Sequence, residues 1–249
     1  MPAELDRRDI VITDTTEPLT ALPDTPRFAA EAVLFDLDGT LIDTAGGICH
    51  ALNQVLTRNG FSEVSLQTTR AQVSHGAFNL VEKALGAGKP RDERLVARLR
   101  AEFLEAYTGS LLHDTRLYPG VRALLQALGE RRIPWGIVTN KSERFVFPLL
   151  KAFALEATCG CVVCGDTTPY LKPDPAPLLE AGRRLGRRGA ALLYLGDAEK
   201  DMLAARRAGM TGILAGYGYI DPAAELSGWQ AAHAISEPLE LIDCLGPAQ

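Results

Sequence analysis

Apolar residues along this chain recur with two periods. Short runs at Ala32–Phe35, Trp135–Val138, Cys161–Cys164, Leu192–Leu195 and Gly212–Ala215 are apolar at nearly every position. They are too short for buried helices and read as strands buried on both faces. Between them, apolar residues return at helical spacing. Val121, Leu124, Leu125 and Leu128 form one stripe, opened by Pro119. A helix follows Ser142, a plausible cap, and others fit Pro175 to Leu185 and Lys200 to Ala208, the last closed by Gly209. Strands alternating with helices predict an α/β fold, a parallel sheet with helices on both faces.

The interval between the first two strands differs. Ile48, Leu52, Val55 and Leu56 repeat as on a helix ending at Asn59-Gly60. Further helices fit Thr69 to Leu85 and Asp92 to Thr108, and no strand is evident from 48 to 113. This block predicts a small helical domain inserted after the first core strand. The expected organisation is a poorly ordered tail over 1–31, a core over 32–47 and 114–249, and the insert over 48–113. The tail carries Pro18, Pro23 and Pro26 without sustained periodicity; Ile10-Val11-Ile12 is a brief strand at most.

Composition narrows the function classes. The chain has 249 residues and a net charge of −5, which argues against nucleic acid or an anionic membrane as partner. No apolar run is long enough to span a bilayer, and Met1 to Asp9 is charged where a signal peptide needs an apolar stretch, so a cytoplasmic location is expected. Five cysteines, an odd number, weigh against a disulfide framework. Cys159-Gly-Cys161-Val-Val-Cys164 invites a zinc reading, but no fourth ligand stands near, and the segment reads better as a strand.

Candidate chemistry gathers at the strand ends. Ala32–Phe35 runs into Asp36-Leu37-Asp38-Gly39-Thr40. Two carboxylates at the end of a buried strand are costly unless paired or bound to metal. A plain Asp-Gly turn is the bland alternative. Three other segments follow strands: Thr139-Asn140-Lys141, Leu171-Lys172-Pro173-Asp174-Pro175, and Gly196-Asp197-Ala198-Glu199-Lys200-Asp201. Thr139 and Asn140 suit phosphate oxygens or a simple N-cap. Lys172, alone, would read as a solvated lysine in a proline-stiffened turn. Asp197 and Asp201 add carboxylates beside Asp36 and Asp38, a repulsion that a divalent cation relieves.

Asp-Leu-Asp-Gly-Thr after a strand, followed by these three segments in order, resembles the haloacid-dehalogenase-like hydrolase superfamily, in its helical-cap subgroup, over residues 32 to about 245. The resemblance implies a Rossmann-like core and a phosphomonoester hydrolase. Asp36 is then the nucleophile and Asp38 the general acid/base. Gly39 and Thr40 open a flap leading to the cap. Thr139 and Asn140 bind phosphate, and Lys172 neutralises nucleophile and phosphoryl group. Mg²⁺ is held by Asp36, Asp197 and the Asp38 carbonyl, with Asp201 in support. Ala198 departs from the acidic or hydroxyl residue of many relatives. His75 is a weaker candidate for substrate contact. The C-terminal Gly216-Tyr217-Gly218-Tyr219-Ile220, with Trp229 and Pro238 to Leu241, resembles the tail of bacterial phosphoglycolate phosphatases and of phosphatases acting on N-acetylmuramic acid 6-phosphate; packing is the expected role of its aromatic residues. The resemblance puts 2-phosphoglycolate first as substrate, with the amino-sugar phosphate, or a phosphomutase reaction, as alternatives. A dehalogenase needs neither Asp38 nor Asp197, and a non-catalytic binding protein would not be expected to keep Asp36, Asp38 and Lys172 together. Expected partners are a small phosphorylated metabolite and at most a second copy of the chain, as monomer or homodimer.

Overall fold

A computed structural model describes residues 27–86, 92–221 and 224–246. In chain order the elements are β1 (Ala32–Phe35), β2 (Ile42–Asp43), α1 (Ala45–Arg58), α2 (Leu66–Val73), α3 (Gly76–Ala84), α4 (Glu93–Ser110), β3 (Arg116–Leu117), α5 (Val121–Glu130), β4 (Trp135–Val138), α6 (Glu143–Ala152), β5 (Cys161–Val163), α7 (Ala176–Leu185), β6 (Leu192–Gly196), α8 (Glu199–Arg207), β7 (Thr211–Ala215), β8 (His233–Ile235) and α9 (Glu240–Asp243).

Six strands form one parallel sheet in the order β5-β4-β1-β6-β7-β8. Side chains alternate across it, so each strand feeds two cores. Val33 and Phe35 of β1 join one cluster with Leu124 and Leu128 of α5, Leu149 of α6 and Leu241 of α9. Ala32 and Leu34 point the other way, with Leu178 and Ala181 of α7 and Ala204 and Ala205 of α8. The five strands expected from the sequence are present, and β8 extends the sheet at its edge. From β1 the chain order steps to β4 on one side and β6 on the other. Such a switch point opens a crevice at the carboxyl ends of the strands.

The helical insert α1–α4 follows β1 and β2. The antiparallel pair β2 and β3 joins its two connections, with Ile42 opposite Leu117. The single helix expected over Thr69 to Leu85 is instead two, α2 and α3. Gly76 turns the corner at a φ of +85°, a left-handed conformation that ends a helix and that glycine adopts without steric cost. Of the expected tail, residues 1–26 lie outside the described residues, as does Ile10-Val11-Ile12. Phe28 is tied down, its N–H donating to the Cys244 carbonyl at 2.7 Å and its carbonyl accepting from Gly246 at 2.9 Å. Among the described residues no helix is long and apolar enough to cross a membrane.

The C-terminal aromatics link the sheet to the insert. The first N–H groups of a helix have no partner within it, and α1 has no side-chain cap at Thr44. The buried Tyr219 hydroxyl accepts from the N–H of Thr44 (2.6 Å) and of Ala45 (3.0 Å), and donates to Asp43 Oδ1 at 2.9 Å. Tyr217 donates to the Thr40 carbonyl at 3.1 Å. Packing was the expected role for both; the hydroxyl bonds are additional. Tyr219→Phe would leave the buried Thr44 N–H unpaired and the Ala45 N–H with only its longer bond to Asp43 Oδ1, at 3.3 Å. It should lower unfolding free energy by about 1–3 kcal/mol, read from the urea midpoint at unchanged slope. An unchanged midpoint would show that these groups do not depend on the hydroxyl.

Candidate active site

Asp36 follows β1, Thr139 follows β4, Lys172 lies between β5 and α7, and Asp197 follows β6. Parallel strands put all four segments at one edge. The Lys172 ammonium is fully buried among them. It lies 2.9 Å from Asp36 Oδ1, 2.8 Å from Asp201 Oδ1, 2.9 Å from the Val138 carbonyl and 2.6 Å from the Tyr194 hydroxyl. Burial alone would depress its pKa, but Asp201 and Asp36 hold it above the ordinary lysine range. Asn140 aims it. Its side chain donates to the Lys172 carbonyl and accepts from the Lys172 N–H, both at 2.9 Å. The Asn140 amide is thus committed to the loop rather than turned to a ligand.

Carboxylate oxygens of Asp36, Asp197 and Asp201 lie within 4.8 Å of one another, and all three residues are buried. Burial, then Asp36 and Asp201, push the Asp197 pKa well above the carboxylate range. Asp201 is raised mainly by burial, with Lys172 opposing. Both Asp201 oxygens are engaged, Oδ1 by Lys172 and Oδ2 by the Ala198 N–H at 3.1 Å. Asp197 Oδ2 accepts from the Tyr219 N–H at 2.7 Å, while Oδ1 is buried without a hydrogen-bond partner. Three carboxylates stand against one ammonium, and one oxygen of Asp197 has no hydrogen-bond partner. An all-oxygen donor set of this kind fits a divalent cation such as Mg²⁺. Gly39, at a φ of +83°, makes the approach possible, since a Cβ there would collide with the Asp197 carboxylate.

Asp38 is turned away from this cluster. Its carboxylate accepts from Lys141 Nζ at 2.9 and 3.2 Å and from Thr44 Oγ1 at 2.5 Å. Thr139 is buried, and its Oγ1 accepts from the Lys141 N–H at 3.2 Å. Thr40 is buried too, with no partner for its hydroxyl.

Above this edge a cavity of about 390 Å³ lies between sheet and insert. Asp36, Asp38, Thr139, Asn140 and Lys172 form its floor. Much of the opposite wall is apolar, with Val73, Ala77, Leu80, Phe103 and Leu104 from the insert, relieved by Arg100 and the Ser74-His75 corner. His75 therefore reaches the cavity; burial and Lys200 lower its pKa and keep it neutral at neutral pH. Lys200 donates to the Ser74 carbonyl at 2.6 Å, joining the sheet edge to that corner. A second tie pairs Arg70 of α2 with Asp43.

The sequence reading gave Tyr219 only a packing role and assigned none to Lys141, to Tyr107 beyond its helix, or to the Asp43–Arg70 pair. Lys141 stood within a named segment, but nothing in sequence spacing shows that a tyrosine of α4 meets it. In the cysteine segment, Cys159 Sγ donates to the Cys161 carbonyl at 3.0 Å, and burial pushes its pKa up to about 12.

Comparison with known proteins agrees with this geometry. The family model described as haloacid dehalogenase-like hydrolase matches residues 33–215. The chain is 36% identical over 222 residues to an N-acetylmuramic acid 6-phosphate phosphatase of Pseudomonas aeruginosa, covering 89% of this chain and 97% of that protein. It is 40% identical over 192 residues to a phosphoglycolate phosphatase of Nitrosospira multiformis, covering 76% and 84%. The crystal structure of a predicted phosphoglycolate phosphatase from Haemophilus somnus superimposes with a TM-score of 0.78 at 26% identity, over 86% of this chain and 97% of that one. With its motifs brought to one sheet edge beneath a helical insert, the chain belongs to the haloacid dehalogenase-like hydrolases and is a phosphatase of the phosphoglycolate phosphatase-like type.

Proposed function

We propose that the chain hydrolyses a small phosphomonoester through an aspartyl-phosphate on Asp36. The observation that carries this reading is the Lys172 ammonium, shared between Asp36 and Asp201 beside an unpaired Asp197 oxygen. Asp36 Oδ attacks phosphorus as the bond from phosphorus to the leaving oxygen breaks, and Asp38 gives that oxygen its proton. In the second half, Asp38 takes a proton from water as the water oxygen bonds to phosphorus and the bond to Asp36 breaks. Lys172, Thr139 and main-chain N–H groups around Asn140 stabilise the equatorial oxygens. Asp36, Asp197 and the Asp38 carbonyl would hold Mg²⁺, with Asp201 supporting through Lys172; when bound, the ion supplies charge neutralisation and phosphoryl orientation. The insert serves as a lid that excludes bulk water.

The cavity bears on the substrate. About 390 Å³ falls within the range of roughly 300–1,000 Å³ typical of pockets for drug-sized ligands. A two-carbon acid would leave much of that space to water and offer little to the apolar wall. We therefore place N-acetylmuramic acid 6-phosphate ahead of 2-phosphoglycolate, reversing the order that the tail resemblance implies. Both carry a carboxylate, and Arg100 is among the residues lining the cavity.

A panel of phosphomonoesters assayed with and without Mg²⁺ tests the activity. Asp36→Ala should abolish turnover; Mg²⁺-dependent hydrolysis by the clean variant would sink the nucleophile assignment. The substrate order is tested by kcat/KM. A preference of at least about tenfold for the amino-sugar phosphate is expected, or about 1.4 kcal/mol of transition-state binding, and the opposite preference would restore 2-phosphoglycolate. For the metal site, Mg²⁺ should raise the melting temperature of the parent but not of Asp197→Asn. In chelator the variant should be at least as stable as the parent. The raised Asp197 pKa sets the sign. As pH rises from the ordinary carboxylate range toward its folded pKa, the unfolded chain releases this proton first, so metal-free stability falls. Asp197→Asn should flatten that fall; an unchanged slope would assign it to other groups.

A further inference from the structure

We propose that Lys141 and Tyr107 are positioning residues that hold the proton-transfer carboxylate of Asp38 in register when the insert is closed. The proposal rests on the phosphatase reading above and adds residues that the family motifs do not assign.

Asp38 sits in the turn after β1, with a partly exposed side chain. The Lys141 ammonium bridges both of its oxygens. On its other side the same ammonium donates to the Tyr107 hydroxyl at 2.9 Å and lies 4.6 Å from the centre of that ring. Tyr107 belongs to α4 of the insert, whereas Asp38 and Lys141 follow β1 and β4 of the sheet. Tyr107 is itself fixed, buried and in ring contact with Phe103 and Phe145. A lysine side chain loses roughly 2 kcal/mol of rotamer entropy when immobilised. Here an ion pair, a hydrogen bond and a cation–π contact offset that loss. Two of the three come from the insert, so lid movement away from the sheet frees Lys141 and, through it, Asp38. Burial alone would lower the Lys141 pKa; Asp38 and Tyr107 hold it up, so the bridge is cationic.

A lysine bound directly to the phosphoryl group would serve every substrate alike. A lysine acting through Asp38 matters in the first half-reaction only where the leaving oxygen needs a proton, whereas the second half-reaction needs Asp38 whatever the substrate. The test compares an alkyl phosphate with p-nitrophenyl phosphate, whose leaving group departs unprotonated. Tyr107→Phe keeps the ring and removes the hydroxyl. It should lower the single-turnover rate of leaving-group release from the alkyl phosphate about three- to tenfold, with KM and the single-turnover release of p-nitrophenolate within about twofold. Lys141→Met should show the same pattern more strongly, about 10–100-fold, within the range for losing general-acid help. The double variant should be no worse than Lys141→Met alone, because Tyr107 acts through Lys141. Equal losses of the release step on both substrates, a change confined to KM, or additive losses would each overturn the proposal. If Lys141→Met does not fold, Tyr107→Phe decides by itself. A parent protein that hydrolyses neither substrate overturns the phosphatase reading, and this proposal with it.

Discussion

Three buried carboxylates share one corner of the sheet with a single buried ammonium in contact. At 4–5 Å, two like charges repel by roughly 4 kcal/mol even at an effective dielectric near 20. Asp36, Asp197 and Asp201 together would be untenable without Lys172. The ammonium can do this only from one place, and several parts of the fold keep it there. The Asn140 amide grips its main chain from the end of β4. The Val138 carbonyl and Tyr194 hydroxyl receive it from β4 and β6. Balancing this charge cluster thus pins the loops after β1, β4, β5 and β6 to one another. One ammonium does not balance three carboxylates, and the raised Asp197 pKa reflects it. That deficit, and the Asp197 oxygen left without a partner, makes the corner an appetite for a divalent cation rather than a finished salt-bridge network.

The insert is tied to this corner at sites that flank it. Arg70 meets Asp43, which also receives Tyr219, whose own N–H binds Asp197. Lys200, one residue before Asp201, reaches the Ser74 carbonyl. Lys141 joins Asp38 to Tyr107. Each tie runs from a residue within a few positions of a site carboxylate to a different helix or corner of the insert. Movement of the insert is therefore felt where the chemistry is arranged.

Much of this was legible in the residues because the signals are local. A run such as Leu192–Leu195 ending in Gly196-Asp197 announces both a buried strand and what its end presents. The alternation of strands and helices then sends every such end to one edge. What escaped depends on distance or on weak signals. β8 is three residues, His233–Ile235, half exposed at the sheet edge, and carries no clear apolar pattern. The break between α2 and α3 turns on Gly76 inside an otherwise periodic stretch, where a lone glycine is often tolerated within a helix. Tyr219 looks like packing in the sequence because a hydroxyl announces nothing about N–H groups 174 and 175 positions away. Lys141 sat in plain view beside Thr139, but its importance comes from Tyr107, across the interface between sheet and insert.

Chemistry and selectivity are divided between the two layers. The sheet edge supplies the carboxylates and the buried ammonium; the insert supplies mostly apolar wall, with Arg100 the charged side chain it adds to the cavity lining. On the proposed mechanism, phosphate binding energy comes from the sheet and is common to any phosphomonoester that enters. Discrimination falls to shape and apolar contact, where one methylene is worth only about 1–3 kcal/mol. Strong rejection needs a buried polar group left unpaired by the wrong substrate, and most of the insert wall offers no such group. Selectivity on this scaffold is therefore graded rather than absolute, and changes in the insert can shift it without disturbing the charge balance beneath.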